Sequence, residues 1–310
     1  MLNSEKLYAI TVIFNPEGYD SRYRLYHEFA KRLKAFHNVE LITVELVIGN
    51  QPYQVTSRSN PNNIQLTTNQ SLWYKENLIN IAFSYLPTDA KYVAWLDADI
   101  QFLNPNWVEE TIYSLDHHYE FVQLFSEYID LSPSYEVINK LPSYIKMWQS
   151  NHLNLKDNQY DSKFIGATGL AWAARKDILD SIGGIPDYDI VGSGDWTLSY
   201  LLTNKAESLK KSWHTSGQTN LIDKWNSLIN AYVNKRVGYI NGTVVHNWHG
   251  AKSKRGYDWR WNILKNHQFD PTKDLYKDLS GIYHISPDKL TILDDLESYF
   301  ESRDEDSLDV

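Results

Sequence analysis

The chain contains no cysteine, which excludes disulfide bonds and thiolate metal sites. No apolar run approaches the roughly 20 residues that a helix needs to span a bilayer, and the start of the chain lacks the apolar core of a signal peptide. Basic charge is scarce, since 30 lysines and arginines face 39 acids and the net charge is −9. That balance disfavours a broad nucleic-acid-binding face but not a local basic groove. We expect a soluble, cytoplasmic protein without membrane contact.

Apolar patterning predicts the fold class. Hydrophobic residues make up 42% of the 310 positions, which is enough to bury a core. Buried strands are predicted at Leu7–Phe14 and Leu41–Val47, with a helix from Arg22 between them. This order implies a parallel strand pair with a right-handed crossover. We predict an α/β fold with a central, mostly parallel sheet flanked by helices and a helical C-terminal extension.

Other segments carry weaker patterns. Residues 51–70 are polar and indicate a loop or a small hairpin, whereas residues 126–161 are irregular and long enough for a binding loop or lid. One strand is predicted at Tyr239–His246. The chain turns acidic after Phe269, which indicates a helix followed by disorder.

Two aspartates follow the apolar run Tyr92–Leu96, which predicts a buried strand. Asp97 and Asp99 then share a face or a concavity, because side chains alternate along a strand. Adjacent buried carboxylates repel each other, and a divalent cation such as Mg²⁺ or Mn²⁺ relieves the repulsion. Asp-x-Asp alone also fits exposed loop acids. The strand before it favours a metal–diphosphate site, since ligands of α/β sheets bind at strand ends.

Further candidate residues lie beyond the aspartate pair. Asp195 opens a helix within a glycine-rich stretch, which fits a functional acid or an ordinary capping residue. His246 and His249 end the last predicted strand, as metal ligands or as buried or surface histidines. The basic cluster after them, which includes Arg255, either neutralises a diphosphate leaving group or is a solvated loop. Arg22 lies near the loop after the first strand, where a phosphate or base could bind.

Taken in order, these segments resemble a metal-dependent glycosyltransferase of the GT-A fold, a Rossmann-like nucleotide-diphospho-sugar transferase fold. Leu96–Asp99 is similar to its metal-binding Asp-x-Asp motif. Trp73–Asn80 is similar to a helix of the animal β-1,4-galactosyltransferases, and Gly166 to Asp195 is similar to their acceptor region. The His-x-x-His segment with Arg255–Tyr257 resembles glycosyltransferases of phages and large DNA viruses.

The resemblance implies a domain plan. A GT-A domain would span residues 1–265, with a nucleotide-sugar half to about 125 and an acceptor half from about 126. An extension with an acidic tail would follow at 266–310. The family places a glutamate that helps hold the acceptor sugar immediately before its catalytic aspartate. This chain has Gly194 there, so the family's acceptor does not carry over.

The resemblance also implies an inverting hexosyltransferase that uses a UDP-sugar donor and Mn²⁺ or Mg²⁺. Asp99 would bind the metal directly, Asp97 would bind it through water or hold the ribose, and His246 or His249 would complete the site. Asp195 would be the general base. The residues expected to bind the donor are Asn15, Arg22, Trp73, Lys75, Asn80, Asp97, Lys254 and Arg255. The aromatic residues expected at the acceptor site, or else in the core, are Trp172, Tyr188 and Trp196.

Three alternatives stay open. The acceptor is a glycan or another hydroxyl compound, or a hydroxymethylated pyrimidine in DNA, for which a flipped base would need only a local groove. A non-catalytic protein that binds nucleotide sugars or glycans would share the fold, but the presence of Asp97, Asp99 and Asp195 disfavours it. A nucleotidyltransferase would also use paired aspartates. It would usually carry a glycine-rich basic loop after the first strand, and Asn15–Gly18 is not such a loop.

Overall fold

Helices and strands alternate along the protein in the computed structural model, which describes residues 5–153 and 165–309. The strands are β1 (Leu7–Phe14), β2 (Val39–Ile48), β3 (Asn63–Thr68), β4 (Tyr92–Leu96), β5 (Ile100–Phe102), β6 (Phe121–Gln123), β7 (Glu127–Leu131), β8 (Val137–Pro142), β9 (Ala171–Arg175), β10 (Val237–Tyr239), β11 (Thr243–His246), β12 (Leu275–Lys277) and β13 (Tyr283–Ile285). The α-helices are α1 (Asp20–Leu33), α2 (Lys75–Phe83), α3 (Trp107–His117), α4 (Tyr144–Gln149), α5 (Lys176–Ile182), α6 (Gly194–Leu202), α7 (Ser216–Tyr232), α8 (Trp261–Asn266), α9 (Pro271–Asp274) and α10 (Ile292–Ser302).

The central sheet has seven strands in the order β10-β6-β9-β4-β1-β2-β3. Its neighbouring strands are parallel except at β9, which runs antiparallel to both β4 and β6. Helices cover both faces, so β4 is buried along its whole length and is apolar throughout. Val93 and Trp95 join the core on one face, and Tyr92, Ala94 and Leu96 join the core on the other. The predicted α/β architecture is confirmed.

A second sheet, in the order β5-β11-β7-β8, positions the end of β4. The chain leaves the central sheet at Leu96, passes through Asp97–Asp99 and enters β5 of the second sheet. There β11 pairs antiparallel with β5 and parallel with β7, so His246 lies opposite both Ile100 and Asp130. The aspartate pair therefore lies at the junction of the two sheets.

The structure corrects several predicted elements. The polar segment 51–70 contains β3, a regular strand at the edge of the central sheet. The segment 126–161 is not irregular up to Gln149, because it holds β7, β8 and α4, and its residues 154–161 lie outside the described residues. The buried acid Asp130 lies inside β7 and obscures the apolar pattern of that strand. The strand predicted at Tyr239–His246 is two strands, β10 and β11, which belong to different sheets.

The C-terminal segment is ordered beyond its helix, contrary to the expected disorder. Helix α10 buries Ile292, Leu296, Tyr299 and Phe300. After it, the Asp306 carboxylate accepts hydrogen bonds from the first amides of α1, those of Asp20 and Ser21, at 2.9 and 2.8 Å. A carboxylate at a helix N-terminus compensates unpaired amides and the helix dipole. The tail is thus anchored to the start of α1. None of the described helices combines the length and apolar character needed to cross a membrane.

Candidate active site

A cavity of about 380 Å³ opens at the edge of the central sheet where β1 and β4 end. Phe14 at the end of β1, Asp97 after β4, His246 at the end of β11 and Asp195 at the start of α6 all line it. Ligands of α/β sheets bind in crevices at this kind of edge. The fold therefore brings acids and histidines that are distant in sequence into one space.

Asp99, His246 and His249 form a buried group at one end of the cavity, with one ligand atom from each residue within 4.8 Å of the others. The Nε2 atom of His249 lies 3.1 Å from Asp99 Oδ2 and 3.1 Å from His246 Nε2. The pairing of β5 with β11 positions His246, and the Asn247 amide donates to the Asp99 carbonyl at 2.9 Å. Whereas the sequence left open which histidine completes the site, both belong to this group.

Asp130 orients His246. Its carboxylate lies 2.9 Å from His246 Nδ1 and also contacts Lys252 and the Tyr128 hydroxyl. Burial works to raise the pKa of Asp130, but His246 and Lys252 hold that pKa well below its usual range. An ionised Asp130 accepts a hydrogen from Nδ1, which leaves the lone pair of a neutral imidazole on Nε2, facing Asp99.

The group fits a divalent cation. Burial opposes ionisation of Asp99, yet His246 and His249 hold its pKa well below the usual range. Asp99 Oδ1 is buried and accepts no hydrogen bond from the described residues, an arrangement that costs free energy unless a ligand uses the atom. Burial lowers the pKa of His249, which favours the neutral imidazole that metals bind. Carboxylate oxygen and imidazole nitrogen are both ligands for such ions.

Asp97 lies outside the three-residue group and pairs with Lys75. The Lys75 Nζ atom is 2.5 Å from Asp97 Oδ1, and both side chains line the cavity. Burial raises the pKa of Asp97, and Asp99 adds to this effect, whereas Lys75 opposes it. Burial alone would lower the pKa of Lys75, but Asp97 and Asp195 raise it above its usual value. The Lys75–Asp97 pair therefore interacts electrostatically with both Asp99 and Asp195.

Asp195 marks the other end of the cavity, which is shaped by two glycines. The Trp196 amide donates to Asp195 Oδ1 at 2.9 Å, while Oδ2 lies against Gly169, where an added Cβ would come within 2.1 Å. The Glu76 side chain lies against Gly194, where an added Cβ would come within 2.4 Å of its Cδ atom. At both positions, a residue larger than glycine would force an acidic side chain to move.

The acids beside Asp195 hold protons tightly. Burial raises the pKa of Glu76 to about 8, with Lys75 opposing the shift and Asp195 adding to it. Burial also raises the pKa of Asp189 to about 7, against the hydrogen bond from Thr197 and the charge of Arg260. Near neutral pH these two groups are partly or largely uncharged, which limits the repulsion that the Asp195 carboxylate experiences.

Four arginines also line the cavity: Arg22, Arg255, Arg260 and Arg303. Glu305 pairs with Arg22 and Arg303, at 2.7 Å from Arg22 Nη2 and 2.6 Å from Arg303 Nε. Within the described ranges, Arg255 and Arg260 have no carboxylate at ion-pair distance, and both are at least nine-tenths buried. Buried guanidinium groups without a counter-ion favour an anionic ligand, and diphosphate oxygens match their hydrogen-bond geometry.

Trp73 lies beside one of these arginines. Its ring packs edge-on against Phe14 with centroids 5.3 Å apart, and the Arg303 guanidinium lies 5.1 Å from its centroid. The indole Nε1 is buried and donates to no described residue. Trp73 and Lys75, which were predicted to face the nucleotide, both line the cavity.

Of the predicted site residues, three lie away from the cavity lining. The Asn15 amide closes the turn after β1 by bonding to Tyr19 at 2.8 and 3.0 Å. The Asn80 amide bonds to both backbone groups of Ile185 and so joins α2 to the turn after α5. Lys254 pairs with Asp304 at the surface. The remaining nine residues line the cavity: Arg22, Trp73, Lys75, Asp97, Asp99, Asp195, His246, His249 and Arg255.

The aromatic residues predicted for the acceptor site also divide between the cavity lining and other parts of the structure. Trp172 and Tyr188 are buried in the core, whereas Trp196 lines the cavity. Sequence reasoning missed three lining residues: Glu76, Trp261 and Arg303. Arg303 lies in the acidic tail, for which the sequence predicts disorder. The apolar face of α10 immediately before it, which includes Leu296 and Phe300, is a signal that this region docks.

No protein-family model matches the chain, and no curated protein matches it. Among solved structures, it is similar to a variant of Drosophila β1,4-galactosyltransferase 7 in complex with manganese, UDP-Gal and xylobiose. The match has 15% identity, covers 64% of this chain and 62% of that chain, and has a TM-score of 0.36. It is also similar to S. aureus TarS in complex with UDP-GlcNAc, with 14% identity, 65% and 53% coverage and a TM-score of 0.40. The chain thus spans less than two thirds of either neighbour. The first of these neighbours is a galactosyltransferase, and the second is bound to UDP-GlcNAc.

Proposed function

We propose that this protein is an inverting, metal-dependent glycosyltransferase that moves a hexose from a UDP-sugar to an acceptor hydroxyl. One observation carries the proposal. A single cavity is lined by the Asp99–His246–His249 group, by Asp195 and by buried guanidinium groups that have no carboxylate partner among the described residues. A diphosphate sugar needs a cation and an anion-binding wall, whereas the acceptor needs a base on the far side of the reacting carbon.

The donor end is assigned from its charges. Asp99, His246 and His249 would hold the divalent cation, and imidazole ligands favour Mn²⁺ over Mg²⁺. When bound, the cation would offset the negative charge that develops on the departing diphosphate. Arg255 and Arg260, which line the cavity, would bind diphosphate oxygens, and Trp73 offers its ring and its buried Nε1 to the nucleotide. Asp97, which pairs with Lys75, would bind the metal through water or bind the ribose hydroxyls.

Transfer to the acceptor would take place next to Asp195. The acceptor oxygen forms a bond to the anomeric carbon while the bond from that carbon to the diphosphate oxygen breaks and UDP departs with the electron pair. Asp195 accepts the proton of the attacking hydroxyl. The helix start and the Trp196 amide hold this carboxylate in position. Attack opposite the leaving group, with one base and no second nucleophile, inverts the anomeric configuration.

A screen of nucleotide sugars tests the proposal. The full-length protein is incubated with each sugar, Mn²⁺ and a panel of glycosides, and released nucleoside diphosphate is measured. UDP-Gal and UDP-GlcNAc, the donors bound in the solved neighbours, come first. A parallel arm supplies DNA with and without hydroxymethylated pyrimidines. We expect release that requires metal and stops with a chelator.

Two results would count against the proposal. If UDP with Mn²⁺ fails to bind and no nucleotide sugar is consumed with any acceptor, the enzyme described above is absent. If UDP-sugars bind with metal but neither sugars nor DNA accept the hexose, and the donor is not hydrolysed either, the protein is the non-catalytic binder that the sequence left open. Transfer confined to hydroxymethylated DNA would keep the reaction and change the acceptor.

A further inference from the structure

Glu76 lies in the cavity but takes no part in the steps described above. It is the second residue of α2, adjacent to Lys75, and it is about 5% exposed. The Lys75 side chain turns to Asp97, whereas the Glu76 side chain turns to the start of α6. Among the described residues, only the backbone amide of Glu76 itself donates a hydrogen bond to the Glu76 carboxyl. A buried carboxyl with so few partners has hydrogen-bonding capacity left for a ligand.

Glu76 can occupy this position because Gly194 has no side chain. The backbone of Gly194 is not left-handed, so glycine is not needed there for conformation. An added Cβ would lie 2.4, 2.5 and 2.6 Å from the Cδ, Cγ and Oε1 atoms of Glu76, so any other residue at this position would force the Glu76 side chain to move. Gly194 thus leaves space for a carboxyl supplied by a different helix, directly beside the base Asp195.

The surroundings of this carboxyl suit a sugar. Two acidic groups side by side, those of Glu76 and Asp195, can bind two neighbouring hydroxyls, because a carboxyl accepts hydrogen bonds when ionised and also donates one when protonated. Trp196 and Trp261 line the same cavity, with ring centroids 6.3 Å apart. Aromatic rings provide apolar faces on which the C–H face of a pyranose packs.

We propose that Glu76 binds a second hydroxyl of the acceptor, next to the hydroxyl from which Asp195 takes the proton. The acceptor is therefore a sugar with adjacent hydroxyls and not a molecule with one isolated hydroxymethyl group. This inference rests on the glycosyltransferase function proposed above and narrows its acceptor class. It assigns Glu76 a binding role that the sequence did not indicate.

Matched acceptors test the inference directly. The probes are methyl pyranosides of common sugars and their monodeoxy analogues, with the donor found in the screen. For the wild-type protein, the analogue lacking the second hydroxyl should show a KM about 10- to 100-fold higher, the cost of one lost hydrogen bond to a buried carboxyl. Glu76→Ala should raise the KM of the complete sugar similarly and should no longer distinguish it from the deoxy analogue. Glu76→Gln should restore part of the discrimination.

Controls separate this role from a structural one. The dissociation constant for UDP with Mn²⁺, measured by calorimetry, should stay within about twofold in the Glu76 variants. Asp189→Asn is the matched control, because Asp189 is an equally buried acid near Asp195 that hydrogen-bonds to Thr197 and does not line the cavity. It should keep the discrimination between the two acceptors.

The contact between Glu76 and Gly194 gives an independent test. Gly194→Ala should displace the Glu76 side chain and abolish the discrimination. In the Glu76→Ala background, where the space is vacant, the same substitution should change the acceptor KM by less than about twofold.

The outcomes distinguish the two proposals. If wild-type protein consumes no donor, both fail. If it glycosylates sugars but Glu76→Ala still discriminates against the deoxy analogue, or if only hydroxymethylated DNA accepts the hexose, the Glu76 assignment fails alone.

Discussion

Around the Asp99–His246–His249 group, here called the metal end of the cavity, cationic neighbours outweigh the effect of burial on the acids. Around Asp195, here called the base end, burial outweighs the effect of Lys75 and Arg260 on the acids. Asp99, Asp130 and Glu305 lie among histidines, arginines and Lys252, and their pKa values are held below the usual range despite burial. Around Asp195, burial raises the pKa of Glu76 to about 8 and that of Asp189 to about 7. Buried acids around one cavity thus have pKa values shifted in opposite directions, and the pKa of Asp97, next to Asp99, is raised like those near Asp195.

The difference fits the roles that we propose for the two ends. A site for a cation and a diphosphate needs fixed charges of both signs, and partners of opposite charge keep them ionised without water. A site that accepts one proton works best when a single carboxylate is charged and its neighbours are not. Lys75 joins the two ends, because it pairs with Asp97 and also lowers the pKa of Glu76. The predictions below test the ends separately.

The largest effect is expected from Asp99→Ala. It removes the only carboxylate of the metal-ligand group, while Asp130 still holds His246 in position. Mn²⁺ affinity should fall by more than about 100-fold, and UDP binding should lose its dependence on metal. Calorimetry with Mn²⁺, with and without UDP, measures both. Asp180→Asn, on the surface of α5, is the control. Unchanged Mn²⁺ affinity in Asp99→Ala would show that the metal binds elsewhere.

Asp195→Asn should separate binding from transfer. The substitution keeps the shape and the Trp196 contact but removes the proton acceptor. Turnover should fall about 10²- to 10⁴-fold, the usual worth of a positioned base, while the dissociation constant for UDP with Mn²⁺ stays the same. Steady-state release of UDP and calorimetry provide the two measurements. Near-normal turnover in this variant would show that another group accepts the proton.

The parts of the site that the sequence predicted share one property, which is that short local patterns carry them. A buried apolar strand followed by Asp97 and Asp99, and a strand ending in His246, are visible in a window of ten residues. Their meeting depends on the general rule that strand ends share an edge. The order of elements sufficed for the α/β architecture in the same way.

The parts that the sequence did not predict depend on contacts between distant segments. Arg303 and Glu305 are about 280 residues from Arg22, and no local pattern pairs a tail residue with the first helix. The sequence did not reveal β7, because the buried acid Asp130 interrupts its apolar alternation. The same acid orients His246. Asn15 and Asn80 were expected in the donor site, but their amides join backbone segments instead. Polar residue type alone does not distinguish these roles.

Asp130→Asn should weaken the metal end without removing a ligand. An amide can donate to His246 Nδ1 as well as accept from it, so the Nε2 lone pair that faces Asp99 is no longer enforced. Mn²⁺ affinity should fall about 10- to 100-fold, less than in Asp99→Ala, and the effect on acceptor KM should be small. Calorimetry measures the first effect and UDP release the second. Mn²⁺ affinity equal to wild type would mean that Lys252 and Tyr128 suffice to hold the site.

The smallest expected effect is on the pH dependence of stability, and it depends on the buried acids at the base end. Glu76 and Asp189 keep protons in the folded protein up to about pH 8 and about pH 7, whereas the unfolded chain releases them near their ordinary values of 4.5 and 3.8. Unfolding therefore releases protons between about pH 5 and 7, so their contribution to stability is complete at low pH and is lost as the pH rises. Each group should contribute a slope of up to about 1.4 kcal/mol per pH unit in that window.

Urea unfolding of the metal-free protein at pH 5, 6 and 7 measures this slope. Glu76→Gln should reduce it by roughly the contribution of one proton, Asp189→Asn should do the same, and the double variant should reduce it further. Asp180→Asn, an exposed acid, should leave it unchanged. The acids of the metal end act with the opposite sign, since their lowered pKa values contribute stability that is lost only on acidification below about pH 4. A wild-type slope that Glu76→Gln does not alter would mean that Glu76 is ionised like the acids at the metal end, and the contrast between the two ends would disappear.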